Sequence, residues 1–89
     1  MSPSDFNFKT RVLNVVRSIP KGMTMTYSEV AIAAGSKGAH RAVGSIMKGN
    51  LDPTVPCHRV IRSDGTVGEY NRGGPKRKAR ILREEGALP

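Results

Sequence analysis

The sequence is poor in the residues that build large or covalently stabilised cores. It has two Phe, two Tyr and no Trp among 89 residues, so a small core must be assembled mainly from Val, Ile, Leu, Ala and Met. With one cysteine, no internal disulfide can form, and nothing marks the chain as secreted. We expect a short N-terminal tail at residues 1–5 and one domain of modest stability at residues 6–89.

Long apolar runs and clusters of metal-binding residues are also missing. No stretch approaches the roughly 20 apolar residues that a membrane helix needs, and residues 1–7 do not resemble a signal peptide. One cysteine and two separated histidines do not make a metal-ligand set. We therefore expect no metal, no cofactor and no membrane association, and a cytoplasmic location.

Acidic residues are few. The chain has seven Asp and Glu but fifteen Lys and Arg, which gives a formal net charge of +8. Six of the fifteen basic residues lie between Arg72 and Arg83. An excess of this size favours a polyanionic partner, with nucleic acid as the first hypothesis, although a highly soluble surface is the alternative.

The apolar pattern predicts three helices in the first half of the chain. The first has apolar residues from Phe8 to Ile19 on one face, with Ser4-Asp5 as its expected start and Pro20 as its stop. The second starts at Thr26, where Thr26-Tyr27-Ser28-Glu29 has the capping-box pattern, and ends at Gly35. The third runs from about Ala39 to Lys48, with Ala42 expected to face inward. Two short helices of which the second has a basic outer face are typical of a helix-turn-helix.

The second half is predicted to contain a small hairpin and one helix. A loop precedes an extended segment at Cys57–Ile61. Asp64-Gly65 is a turn signal, after which Thr66–Gly68 would return as the second strand of a wing. Pro75 is suited to the first turn of a last helix, which ends near Gly86. The predicted fold is mainly α: a winged-helix-like, helix-turn-helix DNA-binding domain with a small β-hairpin and a C-terminal helix.

Cys57 and His58 form the pair with the clearest chemical potential. A neighbouring base can favour the thiolate, which is the nucleophilic form of cysteine. A carboxylate behind His58 would fix its tautomer, and Glu84 and Glu85 are both candidates. The alternative is a buried structural cysteine beside a surface histidine.

A wider pattern surrounds this pair. Pro56-Cys57-His58-Arg59-Val60-Ile61 resembles the active-site motif of the O6-alkylguanine-DNA alkyltransferases, also called methylated-DNA–protein-cysteine methyltransferases. The similarity continues in the family's order at Ile19–Gly22 with Thr26–Ala31, Ala39–Gly44 with Gly49-Asn50, Val67–Tyr70 with Gly73-Gly74, and Leu82–Gly86. It spans the chain from about Phe6 to Gly86. It implies the family's C-terminal catalytic domain, in a compact form without the N-terminal domain that most members carry.

The resemblance implies a catalytic set. Cys57 would take the alkyl group from guanine O6 in a single displacement and keep it as a thioether, so each molecule would act once. His58, through a water molecule, would accept the thiol proton, and Glu85 would complete the relay. Asn50 would brace the loop that carries Cys57.

The resemblance also implies contacts to the guanine. Tyr27 would donate its phenol to the ring and press on the neighbouring phosphate, with Lys78 polarising this network. The carbonyls of Cys57 and Val60 would read the exocyclic amine, and the amide of Asn71 would contact O6. Tyr70 is expected to pack beside the pocket.

Double-stranded DNA carrying an alkylated guanine is the implied partner. The third helix would enter the minor groove, with Arg41 filling the gap left by the extruded base. A phosphate contact or a solvated charge is the alternative for Arg41. Ala42 and Gly44 would permit close approach, and Lys48 would contact DNA. We expect a monomer that is nucleoid-associated when bound to DNA, with Asp52 and Glu69 adding negative charge along the DNA path.

Two other functions stay open. A damage sensor would flip the base without repairing it, as in the related alkyltransferase-like branch, in which another residue replaces the cysteine. Cys57 argues against that branch. An ordinary helix-turn-helix regulator would prefer one DNA sequence and would be indifferent to damage.

Overall fold

The computed structural model describes residues 3–68 and 70–89, so Glu69 lies outside the described residues. In this part the chain forms four α-helices, two short strands and one 3₁₀ turn, which confirms the mainly α prediction. The elements are α1 (Pro3–Arg17), β1 (Met25–Thr26), α2 (Tyr27–Ala33), α3 (His40–Gly49), the 3₁₀ turn (Cys57–Arg59), β2 (Val60–Ile61) and α4 (Gly74–Glu84). α1 begins within the segment assigned to an N-terminal tail. No described helix is long and apolar enough to cross a membrane.

The core lies where α1, α2 and α3 meet, and it is aliphatic, as the scarcity of aromatic residues requires. α1 buries Val12 and Val16, and α3 buries Val43 and Met47, in each case at a spacing of four residues that keeps both side chains on one helix face. Ala42 was expected to face this core but is exposed. Since Ala42 directly precedes the buried Val43, it lies about 100° away around the helix.

The capping box at the start of α2 is confirmed. The Glu29 amide donates to Thr26 Oγ1 at 3.0 Å, and the Thr26 amide donates to Glu29 Oε1 at 2.9 Å. These two bonds satisfy amides that the first helical turn leaves unpaired. They also fix the position of Tyr27, the first residue of α2.

The prediction that the extended segment at Cys57–Ile61 pairs with Thr66–Gly68 in a hairpin is wrong. β2 instead pairs in parallel with β1, with Met25 opposite Val60 and Thr26 opposite Ile61. The turn after β2 does form, since Arg62 accepts from the Gly65 amide and donates to the Thr66 carbonyl, both at 3.0 Å. β-branched residues favour an extended backbone but do not specify its partner. The parallel pairing joins the segment after Cys57 to the residues before Tyr27.

Candidate active site

Cys57 is held in a tight turn at the wall of a cavity. Its amide donates to the Val55 carbonyl at 2.8 Å, and its carbonyl accepts from the Val60 amide. The residue is 5% exposed and borders a cavity of about 660 Å³. It is therefore shielded from bulk solvent while remaining next to a space of the size that small-molecule sites use.

A carboxylate stands behind the neighbouring histidine. His58 Nε2 lies 3.0 Å from Glu85 Oε1. Arg59 binds the same carboxylate through Nε to Oε1 at 3.0 Å and Nη2 to Oε2 at 2.7 Å, and its Nη1 donates to the Ile19 carbonyl at 2.8 Å. Such a two-point contact fixes the plane of the carboxylate. Glu84 instead pairs with Arg80 at 3.2 Å, so the structure selects Glu85 from the two candidates.

This arrangement sets the charge of the carboxylate and the tautomer of the histidine. The hydrogen bonds from Arg59, followed by that from His58, overcome the cost of burial and lower the pKa of Glu85 to about 2. At neutral pH the carboxylate is ionised and can only accept hydrogen bonds. Nε2 of His58 must therefore carry a proton, which in the neutral ring leaves Nδ1 as an acceptor.

Asn50 is buried and braces the loop that leads to Cys57. Its Oδ1 accepts from the Asp52 amide at 3.2 Å, and its Nδ2 donates to the Asp52 carbonyl at 3.4 Å. The Asp52 carboxylate accepts from the Thr54 amide and hydroxyl at 2.9 and 2.7 Å, and it pairs with Arg17 of α1 at 3.2 Å. Hydrogen bonds from Thr54, then the contact with Arg17, lower the pKa of Asp52. The loop is thus tied to itself and to α1.

The side chain of Asn71 closes the end of α3. Its Nδ2 donates to the carbonyls of Lys48 and Asn50, both at 2.8 Å. The last carbonyls of a helix have no partner within the helix, so Asn71 satisfies groups that would otherwise need water. The resemblance assigned Asn71 a contact to the base and gave no signal for this capping role.

Lys78 is almost completely buried beneath Tyr27. Its Nζ lies 3.5 Å from the Tyr27 hydroxyl and 5.6 Å from the centre of that ring. Burial lowers the pKa of Lys78 to about 8, while the nearby Cys57 opposes this shift and Arg62 adds to it. At neutral pH the ammonium form still predominates, so a positive charge stands beside the phenol oxygen.

The larger cavity brings together part of the predicted set. Its walls include six predicted residues, Tyr27, Arg41, Gly44, Lys48, Cys57 and Asn71. They also include six residues that were not among the predicted site residues, His40, Ser45, Met47, Arg62, Tyr70 and Pro75. Val60 is completely buried and, like Asn50, Lys78 and Glu85, does not line this space.

A second cavity reaches Cys57 from another side. It measures about 340 Å³, and its walls include His58, Arg59 and Arg72 together with Cys57. The ring of Tyr70, which borders both cavities, stands edge-on to His58 with a centroid distance of 6.4 Å. Burial, then the nearby Cys57, raises the pKa of Tyr70. Cys57 and His58 therefore both border the second cavity, and Cys57 borders the larger one as well.

Comparison with known proteins identifies relatives over almost the whole chain. A family profile described as the DNA-binding domain of 6-O-methylguanine DNA methyltransferase matches residues 7–87. The chain is 51% identical over 79 residues to a methylated-DNA–protein-cysteine methyltransferase of Methanothermobacter thermautotrophicus, which covers 89% of this chain and 44% of that protein. The chain thus spans less than half the length of this relative.

Solved structures also share the fold, among them two that contain DNA. Mycobacterium tuberculosis OGT in complex with DNA superposes with a TM-score of 0.83 at 40% identity, over 92% of this chain and 52% of that one. S. pombe Atl1 in complex with damaged DNA containing O6-carboxymethylguanine superposes with a TM-score of 0.80 at 36% identity, over 97% of this chain and 80% of that one.

Proposed function

Since the chain belongs to the 6-O-methylguanine DNA methyltransferase family through its DNA-binding domain, we propose that it repairs O6-alkylated guanine in DNA by transferring the alkyl group to Cys57. The observation that carries the proposal is the position of Cys57, which borders a cavity of about 660 Å³ and precedes a histidine hydrogen-bonded to an ionised carboxylate. Nucleophile, base and orienting acid are the parts that a thiol-based transfer requires.

The transfer is a single displacement. The Cys57 sulfur attacks the alkyl carbon, a sulfur–carbon bond forms, and the bond from that carbon to guanine O6 breaks with its electron pair staying on the guanine. The thiol proton passes through a water molecule to Nδ1 of His58, while the carboxylate of Glu85 stabilises the resulting imidazolium. The guanine gains a proton and leaves unmodified.

Tyr27 is proposed as the donor of that proton. The Lys78 ammonium lies 3.5 Å from the phenol oxygen, and a cation there stabilises the negative charge that develops when the phenol gives up its proton. Lys78 acts through Tyr27, so its role is to position and polarise. The contacts proposed for Asn71 and for the carbonyls of Cys57 and Val60 serve recognition of the guanine edge.

Base extrusion is assigned to α3. Arg41, Ala42 and Lys48 are exposed on this helix, and Arg41, Gly44 and Lys48 border the cavity. A long cationic side chain next to a base-sized space is suited to fill the gap in the stack, and a minor-groove approach requires small residues such as Ala42 and Gly44. Most of the binding free energy would come from phosphates, so sequence preference should be weak.

The test is the mass of the peptide that contains Cys57. After incubation with a duplex carrying O6-methylguanine under reducing conditions, this peptide should gain one methyl group, and the molar yield of repaired lesions should not exceed that of protein. Cys57→Ala should abolish the transfer and retain binding. An unmodified peptide in a protein that binds the duplex would contradict the proposal.

A damage sensor is the second candidate function. It is favoured by the similarity to S. pombe Atl1, whose structure holds damaged DNA and 80% of whose chain is covered by this one. A sensor prefers alkylated over plain duplex while the lesion content stays constant over time. A competition series with damaged, plain and varied-sequence duplexes also tests the regulator hypothesis, which requires a preferred sequence.

A further inference from the structure

We propose that Arg62 binds a phosphate of the DNA strand that carries the extruded nucleotide, from a wall of the larger cavity that α3 does not form. The inference rests on the proposed function, since it presupposes that a base enters this cavity. It adds a binding residue that neither the motifs nor the family resemblance assigned.

The backbone of Arg62 is fixed by the turn that follows β2. Its amide donates to the Thr66 carbonyl and its carbonyl accepts from the Gly65 amide, both at 3.0 Å. β2 in turn pairs with the strand that directly precedes Tyr27. Arg62 and Tyr27 are therefore held by the same small sheet, even though 35 positions separate them in the sequence.

Gly68 leaves the space into which the Arg62 side chain extends. A Cβ at Gly68 would lie 3.3 Å from Arg62 Nε, 3.4 Å from its Cγ and 3.6 Å from the Tyr27 hydroxyl. The guanidinium stem and the phenol thus flank one position at the cavity wall. Gly68 has φ +75°, a backbone conformation that glycine adopts without strain.

The side chain of Arg62 is exposed to solvent. Within residues 3–68 and 70–89 its guanidinium has no hydrogen bond or ion pair. The nearby Asp64 carboxylate is engaged by Thr66, whose hydrogen bonds are the main cause of its lowered pKa, with a smaller electrostatic contribution from Arg62. Among the residues that the structure describes, the cavity is lined by Arg41, Lys48 and Arg62 and by no Asp or Glu.

This distribution of charge fits a phosphodiester. When a base is directed towards Cys57, its sugar and flanking phosphates remain outside, because they are too polar and too large to follow it. Arg41 and Lys48 approach that backbone from α3, whereas Arg62 approaches it from β2 and the side of Tyr27. A guanidinium offers several donors in one plane, which suits phosphate oxygens.

The experiment measures the salt dependence of equilibrium binding to a duplex containing O6-methylguanine, with Cys57→Ala as the common background so that no transfer occurs. Removing one phosphate contact lowers the slope of log K against log [salt] by about 0.9. Arg62→Ala should therefore bind about 8-fold more weakly at 0.1 M salt, with the difference vanishing towards 1 M. Arg62→Lys should retain most of the slope. Circular dichroism checks that each variant is folded.

Arg80→Ala is the matched control, because this arginine is exposed, pairs with Glu84 and lines neither cavity. Its slope should equal that of the background. An unchanged slope in Arg62→Ala would overturn the inference. A reduction of equal size with an undamaged duplex would also overturn it, because it would indicate a general backbone contact. Failure of the proposed transfer is read separately, from the mass of the Cys57 peptide in the otherwise unmodified protein.

Discussion

Replacing Glu85 with glutamine removes one negative charge from the centre of the site while preserving the size of the side chain. The carboxylate accepts three hydrogen bonds, one from His58 and two from Arg59, at 2.7 to 3.0 Å. Glutamine has a single acceptor oxygen, and its amide group would face one of these donors. We therefore expect both a less stable protein and a less well oriented base.

The size of the expected loss of stability in Glu85→Gln follows from the lowered pKa of Glu85. A shift from 4.5 to about 2 corresponds to about 3 kcal/mol of preference for the ionised form. Because the side chain is still 11% exposed, solvent screens part of this, and we expect Glu85→Gln to lower the free energy of unfolding at pH 7 by about 2 kcal/mol. Transfer should slow roughly 10- to 100-fold, less than the loss of a complete general base.

The way in which the free energy of unfolding changes with pH is a second test of the role of Glu85. Since the folded pKa lies below the ordinary value, the unfolded chain takes up a proton first as the pH falls. The stability due to Glu85 is thus fully present above about pH 4.5 and is lost towards pH 2. Glu85→Gln should show a flatter decline over this range. Urea unfolding at pH 7 and in acid, with single-turnover transfer at pH 7, measures all three effects.

Glu84→Gln provides the control one residue away. Its side chain is 63% exposed and makes one ion pair, with Arg80 at 3.2 Å, so its loss should change stability by less than about 0.5 kcal/mol. The reasoning is refuted if Glu85→Gln is as stable as this control and retains the steep acid dependence of the original protein.

The remaining predictions concern Lys78, Asn71 and Thr26. Because the pKa of Lys78 is lowered to about 8 from 10.5, the native state loses this proton before the unfolded chain does, so urea unfolding should show the free energy of unfolding rising between these pH values. As the pH is raised above 8, the original protein loses the Lys78 ammonium that supports Tyr27. The transfer rate of the original protein, divided by that of Lys78→Met, should therefore fall with pH. A ratio that stays constant would exclude that role. Asn71→Asp would place a carboxylate against the carbonyls at the end of α3 and should destabilise the protein more than Asn71→Ala, which we expect to cost about 1 kcal/mol in the same assay. Thr26→Ala breaks the capping box and should lower the free energy of unfolding by about 1 kcal/mol, and a gain in stability would contradict the capping argument.

Features that depend on neighbouring residues could be predicted from the sequence. The Thr26–Glu29 capping box is confirmed because both of its hydrogen bonds lie within one helical turn. The helices α2, α3 and α4 follow from apolar spacing and from Gly and Pro signals, and the mainly α fold follows from them. Cys57 and His58 are adjacent in the chain, so their proximity needed no fold. The roles assigned to the individual site residues stay predictions.

Pairings between distant residues were decided only by the tertiary structure. Local chemistry left Glu84 and Glu85 equivalent, and the resemblance favoured Glu85. Consecutive residues at a helix end point about 100° apart, and the way α4 packs turns Glu85 towards His58 and Arg59 and Glu84 towards Arg80.

The pairing of β2 and the contacts of residues around the cavity likewise could not be predicted from the sequence. β2 was expected to pair with the segment that follows it but pairs with β1. Asn71 and Arg62 contact residues that only the fold brings next to them, namely Asn50 for Asn71 and Gly68 for Arg62. A sequence pattern records the periodicity of a helix or strand, which is local. It does not record the rotation and packing of one element on another, and those determine which side chains meet.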